Sequence, residues 1–339
     1  LSKQIPGKNK KTNHVSSGAK APKPVIFLLG FFFILVGIFG VLYNPVNSEA
    51  TGATWTVSEE GILSFPQRGE AAFTVEVTED LYAPESEDSL KLLTFESRGE
   101  NVRALLRIPA GSSPASSSPA DSSPANSSGA PGIVLLPGAG ISKEKEQGLA
   151  VELSKLGYAT LTLDQRNLGA INPEGDLELY KAGLEPLEYK MVYDALKATD
   201  VLSGQPEIDP EKLAIVGESN GGRFAIIACA LAPSLRGVVG ISTAGYGTGE
   251  IDPSRVEDPY VYSFYRSIDP DTYLSELPPA RFVLLHSFND TVIPHEMALG
   301  TFSFAGEPKA MYNVSEVTHG YTASMHPYLE EELALIFID

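Results

Sequence analysis

One cysteine, Cys229, stands alone in 339 residues. No internal disulfide can form, so bridges say nothing about the redox compartment. The thiol falls in the apolar run Phe224-Ala-Ile-Ile-Ala-Cys-Ala-Leu231, where a packing role is expected. Histidines are also few, and no pair of His, Cys or carboxylates shows a metal-ligand spacing. A glycine-rich phosphate loop is missing as well, so neither metal nor cofactor is expected. Basic charge is scarce: 25 Lys and Arg face 43 Asp and Glu, a formal charge of −18. Every charged residue before position 45 is a lysine (Lys3, Lys8, Lys10, Lys11, Lys20, Lys23), so the remainder alone carries −24. Such a surface repels polyanions, which excludes a nucleic-acid partner.

What the chain does have is enough apolar content, 43%, to bury a large core. Residues 1–24 are polar and lysine-bearing and read as a basic tail. Val25 to Tyr43 is an uncharged run of 19 residues. As a helix it would extend about 28 Å, close to the hydrocarbon thickness of a bilayer. A single membrane-spanning anchor is expected there. The lysines lie on its N-terminal side, which predicts a cytoplasmic tail and an extracytoplasmic domain over 44–339. Ser48-Glu-Ala50 also fits a small-x-small cleavage pattern, which leaves a secreted form open, but the length of the run favours an uncleaved anchor.

Alternating patterns at Ala72 to Val77, Leu90 to Glu96 and Asn101 to Ile108 predict strands, read as an antiparallel edge. Residues 109–131 repeat Ser-Ser-Pro-Ala in close variants and cannot pack a core. Because strand-like segments flank them, they are read as a long surface loop between neighbouring strands of one sheet. Asn126, Asn289 and Asn313 each begin a glycosylation pattern. From Ile133 onward, strand-like runs (Ile133 to Leu136, Thr160 to Leu163, Leu213 to Val216, Val238 to Ile241, Phe282 to His286) alternate with helical stretches. The helices are expected near Ser142 to Leu156, Leu187 to Leu202, Asn220 to Ala232, His295 to Phe304 and Tyr321 to Phe337. That alternation predicts an α/β class: a mostly parallel sheet with helices on both faces.

Three motifs fall at the carboxyl ends of those strands, where such sheets bind ligands. Gly217-Glu-Ser-Asn-Gly221 joins a strand to a helix, and a turn so tight requires small neighbours and leaves the Ser219 hydroxyl at its tip. Asp290 follows the strand ending near His286, and His319 lies in a loop before the last helix. A serine hydroxyl is a poor nucleophile unless a base takes its proton, and the base needs an acid to fix its tautomer. Ser219, Asp290 and His319 supply that set in the order nucleophile, acid, base. Leu136-Pro-Gly-Ala-Gly140 follows another strand, and the backbone N–H groups of Ala139 and Asn220 are candidate oxyanion donors. His286 and His295 are expected in supporting roles, and Asp164 with Arg166 as a buried structural pair.

With those residues in place, the region from about Leu90 to Asp339 resembles the α/β-hydrolase superfamily. Asp290-Thr-Val-Ile-Pro294 and His319-Gly-Tyr321 look most like its dienelactone-hydrolase and prolyl-oligopeptidase-like branch. The resemblance implies a serine hydrolase whose triad is Ser219, Asp290 and His319, with Ala139 and Asn220 as oxyanion donors. Two positions depart from the pattern: Asn167 stands where the Asp-x-Arg-Gly-x-Gly turn has Gly, and Pro137 where His often precedes the oxyanion glycines. Residues 246–277 match the place of a cap insertion, and their aromatics either line a pocket or form the cap's own core. The expected reaction is cleavage of a small or medium ester-like substrate through an acyl-enzyme. Peptide cleavage, or an inactive fold used for binding, are the alternatives.

Overall fold

A computed structural model describes residues 54–66, 68–112 and 129–338. The predicted tail at 1–24 and anchor at 25–43 lie outside the described residues, as does most of the Ser/Pro-rich loop. Among the described residues no helix is long and apolar enough to cross a membrane.

Two short strands, β1 (Thr56–Val57) and β2 (Leu63–Ser64), pair with each other ahead of the main sheet. That sheet has nine strands: β3 (Phe73–Val77), β4 (Ser89–Ser97), β5 (Glu100–Ile108), β6 (Ala130–Leu136), β7 (Ala159–Leu163), β8 (Ile208–Glu218), β9 (Leu235–Ile241), β10 (Arg281–Ser287) and β11 (Lys309–Val314). Their order is β11-β10-β9-β8-β6-β7-β5-β4-β3. The pairs from β7 through β11 are parallel, while β5 on β7, β4 on β5 and β3 on β4 are antiparallel. The expected antiparallel edge before a parallel sheet is therefore present.

Residues 109–131 do connect two strands of one sheet, but not neighbours. β7 sits between β5 and β6, hydrogen-bonded to both. Flanking patterns show that two segments are strands; which strand slots between them is decided by a partner about 25 residues further along.

Among the described residues seven α-helices accompany the sheet: α1 (Gln147–Lys155), α2 (Pro173–Lys181), α3 (Leu187–Ser203), α4 (Asn220–Leu231), α5 (Pro259–Ile268), α6 (His295–Phe304) and α7 (His326–Ile336). Period-two alternation divides the central strands between two cores. Ile133 and Leu135 of β6, with Ala214 and Val216 of β8, pack against Leu149 and Leu153 of α1 and Leu329 and Leu333 of α7. Val134, Leu136 and Ile215 face the other way, onto Val192 and Leu196 of α3 and Phe224 and Ile227 of α4. Both faces are covered, as a parallel sheet requires.

Two helices start later than periodicity predicts. The Asp164 carboxylate takes the Lys143 N–H at 3.0 Å and its Nζ at 2.6 Å, so residues 142–146 form turns and α1 begins at Gln147. Pro327 is tolerated only in a first turn, so α7 begins at His326 rather than Tyr321. Sequence reading missed α2, announced by Asn172 capping the Gly175 N–H and Pro173 at the first position. It also missed β11, an edge strand whose residues are mostly half-buried and so lack a clean alternation.

The segment between β9 and β10 holds α5 and three 3₁₀ turns. Two of its aromatics are wholly given to packing. Phe264 and Tyr273 are fully buried, and Phe264 joins Tyr180 and Tyr189 in an aromatic cluster that Trp55 also enters. The segment is fastened to α4 by Arg223, which bonds Glu188 at 2.9 Å and the Ile268 carbonyl at 3.0 Å and lies 4.2 Å from the Tyr246 ring centroid. Asp164 and Arg166 do not pair with each other. Asp164 pairs with Lys143, while Arg166 bonds Asp194 at 2.7 Å and Glu100 at 2.6 Å.

Candidate active site

β8 runs straight into α4 through Ser219, whose φ of 51° and ψ of −119° are rarely adopted by a residue with a side chain. The neighbouring glycines explain how the chain makes so tight a turn. A Cβ at Gly221 would strike the carbonyl oxygens of Leu136 and Pro137, and one at Gly217 would strike the backbone of Gly221. The turn is locked by the Ser219 N–H donating to Ile241 O at 2.9 Å and by Thr243 Oγ1 donating to Ser219 O at 2.7 Å. Ser219 thus stands as the N-cap of a 12-residue helix, half-buried. The free N–H groups of such an end favour developing negative charge.

Ser219 after β8, Asp290 after β10, His319 after β11, Ala139 after β6 and Ser242 after β9 all follow strands that run parallel to one another. They therefore gather at one rim of the sheet. Asp290 and His319 meet directly: His319 Nδ1 lies 2.9 Å from Asp290 Oδ2. Asp290 Oδ1 accepts the N–H groups of Val292 at 2.8 Å and Ile293 at 3.0 Å. Burial works against the charged Asp290 carboxylate, but the bonds from His319, Ile293 and Val292 outweigh it and hold the group below its ordinary range. The carboxylate is fixed in both charge and orientation.

No hydrogen bond joins Ser219 Oγ to His319. The backbone that follows His319 is tied to the ends of β8 and β9. The Tyr321 N–H donates to Glu218 Oε1 at 3.0 Å, and the Gly320 N–H donates to Ser242 Oγ at 2.9 Å. Glu218 is the residue immediately before Ser219. On the other side of His319, Ser287 Oγ donates to the Glu316 carbonyl and Asn289 Nδ2 to the Ser315 carbonyl at 2.6 Å. Burial pushes the Glu218 carboxyl above its ordinary range, while the Tyr321 N–H and His319 pull the other way.

The candidate oxyanion loop is pinned from behind. Gly138 abuts Ser219, since a Cβ there would stand 3.5 Å from Ser219 Cβ. The loop is held by Gln165 Nε2 donating to the Pro137 carbonyl and by the Gly140 N–H donating to Leu168 O at 2.7 Å. Asn220 Nδ2 donates to Gly169 O at 3.2 Å. Asn167 has a φ of 48°, a left-handed conformation that asparagine tolerates better than most residues with a side chain. This is why Asn fits where the family turn has Gly.

The other histidines have separate partners. His286 is fully buried, with Nε2 2.9 Å from the Ile293 carbonyl and 3.8 Å from Asp290 Oδ2. Burial lowers its pKa, which favours the neutral ring beside Asp290. His295 Nε2 lies 2.8 Å from Asn313 Oδ1, and His326 Nδ1 lies 2.7 Å from the Tyr321 hydroxyl. Cys229 is buried, and burial alone pushes its thiol up to about 12, which leaves it inert. Among the described residues no group of three His, Cys, Asp or Glu could hold a metal ion. Sequence reading missed Glu218 and Ser242 as parts of the site. Glu218 occupies a variable position of its motif, and no motif marks Ser242.

Known proteins resemble this chain in fold and over part of its sequence. The acetyl xylan esterase family model (AXE1) matches residues 178–243, a stretch that includes the Ser219 turn. The acetyl xylan esterase from Paenibacillus sp. R4 superposes with a TM-score of 0.61 at 15% identity, covering 78% of this chain and 89% of that one. Acetyl xylan esterase 1 from Thermoanaerobacterium sp. JW/SL YS485 gives 0.57 at 14% identity, over 79% and 89%. In sequence, the chain is 29% identical over 84 residues to YtaP of Bacillus subtilis (strain 168), a proposed hydrolase by name. That match covers 24% of this chain and 28% of the relative. It is 26% identical over 139 residues to the uncharacterized protein YfhR of Escherichia coli O157:H7, over 40% and 47%. Neither match spans half of the relative's length. By its sheet order and these structural likenesses, the chain has the α/β-hydrolase fold.

Proposed function

We propose that this protein hydrolyses carboxylic esters of short acyl groups through an acyl-enzyme on Ser219. The observation that carries the reading is the 2.9 Å contact of His319 with Asp290 in a loop clamped to the residue beside Ser219. In this mechanism His319 Nε2 takes the proton from Ser219 Oγ as the oxygen attacks the ester carbonyl, and Asp290 stabilises the resulting imidazolium. The backbone N–H groups of Ala139 and Asn220 receive the oxyanion. Collapse expels the alcohol, which leaves with the proton from His319. Water then attacks the acyl group, giving its proton to His319, and the acid departs as Ser219 regains its hydrogen.

An acetyl-sized acyl group is supported by the description of the matched family and by the names of the solved relatives. The proposal also keeps the domain outside a membrane, on an anchor at 25–43, from the lysine asymmetry of the sequence. Hydrolysis of p-nitrophenyl esters of graded acyl length tests the reading. Acetate or propionate should be the best substrate, and Ser219→Ala should lower kcat/KM by at least about 10³-fold. Turnover that survives Ser219→Ala, or that improves steadily with chain length, would contradict it.

A further inference from the structure

We propose that Glu218 and Ser242 are positioning residues for His319, acting as a two-point clamp on the backbone that follows it. The inference rests on the reading of Ser219, Asp290 and His319 as one triad. It begins with a geometric problem: no hydrogen bond joins Ser219 Oγ to His319, and Asp290 fixes the imidazole only through Nδ1. A base loop held at one end could swing about that contact. The structure supplies the second hold. Gly320 donates its N–H to Ser242 Oγ and Tyr321 donates its N–H to Glu218 Oε1, so two successive peptide groups are tied to the ends of β9 and β8.

Both acceptors are built for the purpose. Ser242 is fully buried with a φ of 48°, a strained conformation that a serine with no partner would have little reason to keep. Glu218 lies so close to the loop that a Cβ at Gly320 would stand 3.0 Å from its Oε2, and Gly320 itself has a φ of 95°. The glycine after His319 thus serves both the backbone turn and the approach of the carboxylate. The other titratable groups near Glu218 include His319, Tyr321 and Glu146, the last buried with Oε1 unpartnered among the described residues. Because Glu218 precedes Ser219 directly in the chain, the clamp ties the position of the base to that of the nucleophile.

The test compares Glu218→Ala, Glu218→Gln and Ser242→Ala in the full chain, with fold checked by circular dichroism. Two readouts are used: kcat and KM on the best p-nitrophenyl ester, and the downfield proton resonance of the His319–Asp290 hydrogen bond, which needs no turnover. Glu218→Ala should lower kcat at least tenfold with KM within about twofold, and should broaden or remove the downfield signal. Glu218→Gln keeps an acceptor for the Tyr321 N–H and should retain kcat within about threefold. Ser242→Ala should fall between them. An unchanged kcat and downfield proton in Glu218→Ala would overturn the clamp, as would a loss in Glu218→Gln equal to that in Glu218→Ala. If the wild type proves inactive on every ester, the resonance still decides: its loss in Glu218→Ala upholds the clamp and its persistence refutes it, while the ester reading alone fails.

Discussion

Glu146 is buried beside Glu218, and one of its carboxylate oxygens has no partner among the described residues. Burial, then the nearby Glu218 charge, push its pKa from the ordinary 4.5 up to about 8. The folded chain therefore keeps a proton there that the unfolded chain releases above about 4.5. The stability this proton supports is full below the unfolded pKa, falls as pH rises toward 8, and is gone above it. Glu146→Gln keeps the shape and cannot ionise, so its melting temperature should decline less than the wild type's between pH 5 and pH 8. Parallel melting curves for the two proteins over that window would contradict this. At the same scale, Ser219 was legible because its geometry forces glycines onto its neighbours, and those glycines are visible in the chain. Glu218 and Ser242 were not, because their partners lie 103 and 78 positions away and one acceptor looks like another in a sequence.

Arg107 shows how elements are held in register. Its side chain is inaccessible, lies 2.6 Å from Asp80 and 3.1 Å from Asp88, and also reaches Gln147 of α1. Ser154 of α1 donates to the same Asp88 at 2.7 Å. The segment before β4 is thereby fixed to β5 and to the helix behind it. Arg107→Met would leave two carboxylates facing each other without their cation, and should cost about 3–5 kcal/mol in urea unfolding. A change below 1 kcal/mol would show that the cation is dispensable. The central strands were legible because strands buried on both faces are continuously apolar, as Leu213 to Val216 and Val238 to Ile241 are, and helical stretches alternate with them. The half-buried edge strand β11 carries no such constraint, and α2 is recognisable only by its cap. Proline and a lysine captured by Asp164 set the starts of α7 and α1, which periodicity alone cannot place.

For the whole molecule, the class and the rim were readable, since alternating strands and helices admit few topologies and ligand-facing loops follow strand ends. Strand order was not: the slot taken by β7 depends on pairing between segments separated by the long Ser/Pro-rich connection. What unites the molecule is that three separate loops deliver a hydroxyl, an imidazole and a carboxylate to one rim. A fluorophosphonate probe followed by intact-mass and peptide analysis tests this most directly, because it reports the nucleophile without assuming a substrate. One equivalent should add to Ser219, slowly in His319→Ala and not at all in Ser219→Ala. A chain that stays unlabelled, or that is labelled equally well once Ser219 is replaced, would contradict the serine-hydrolase assignment.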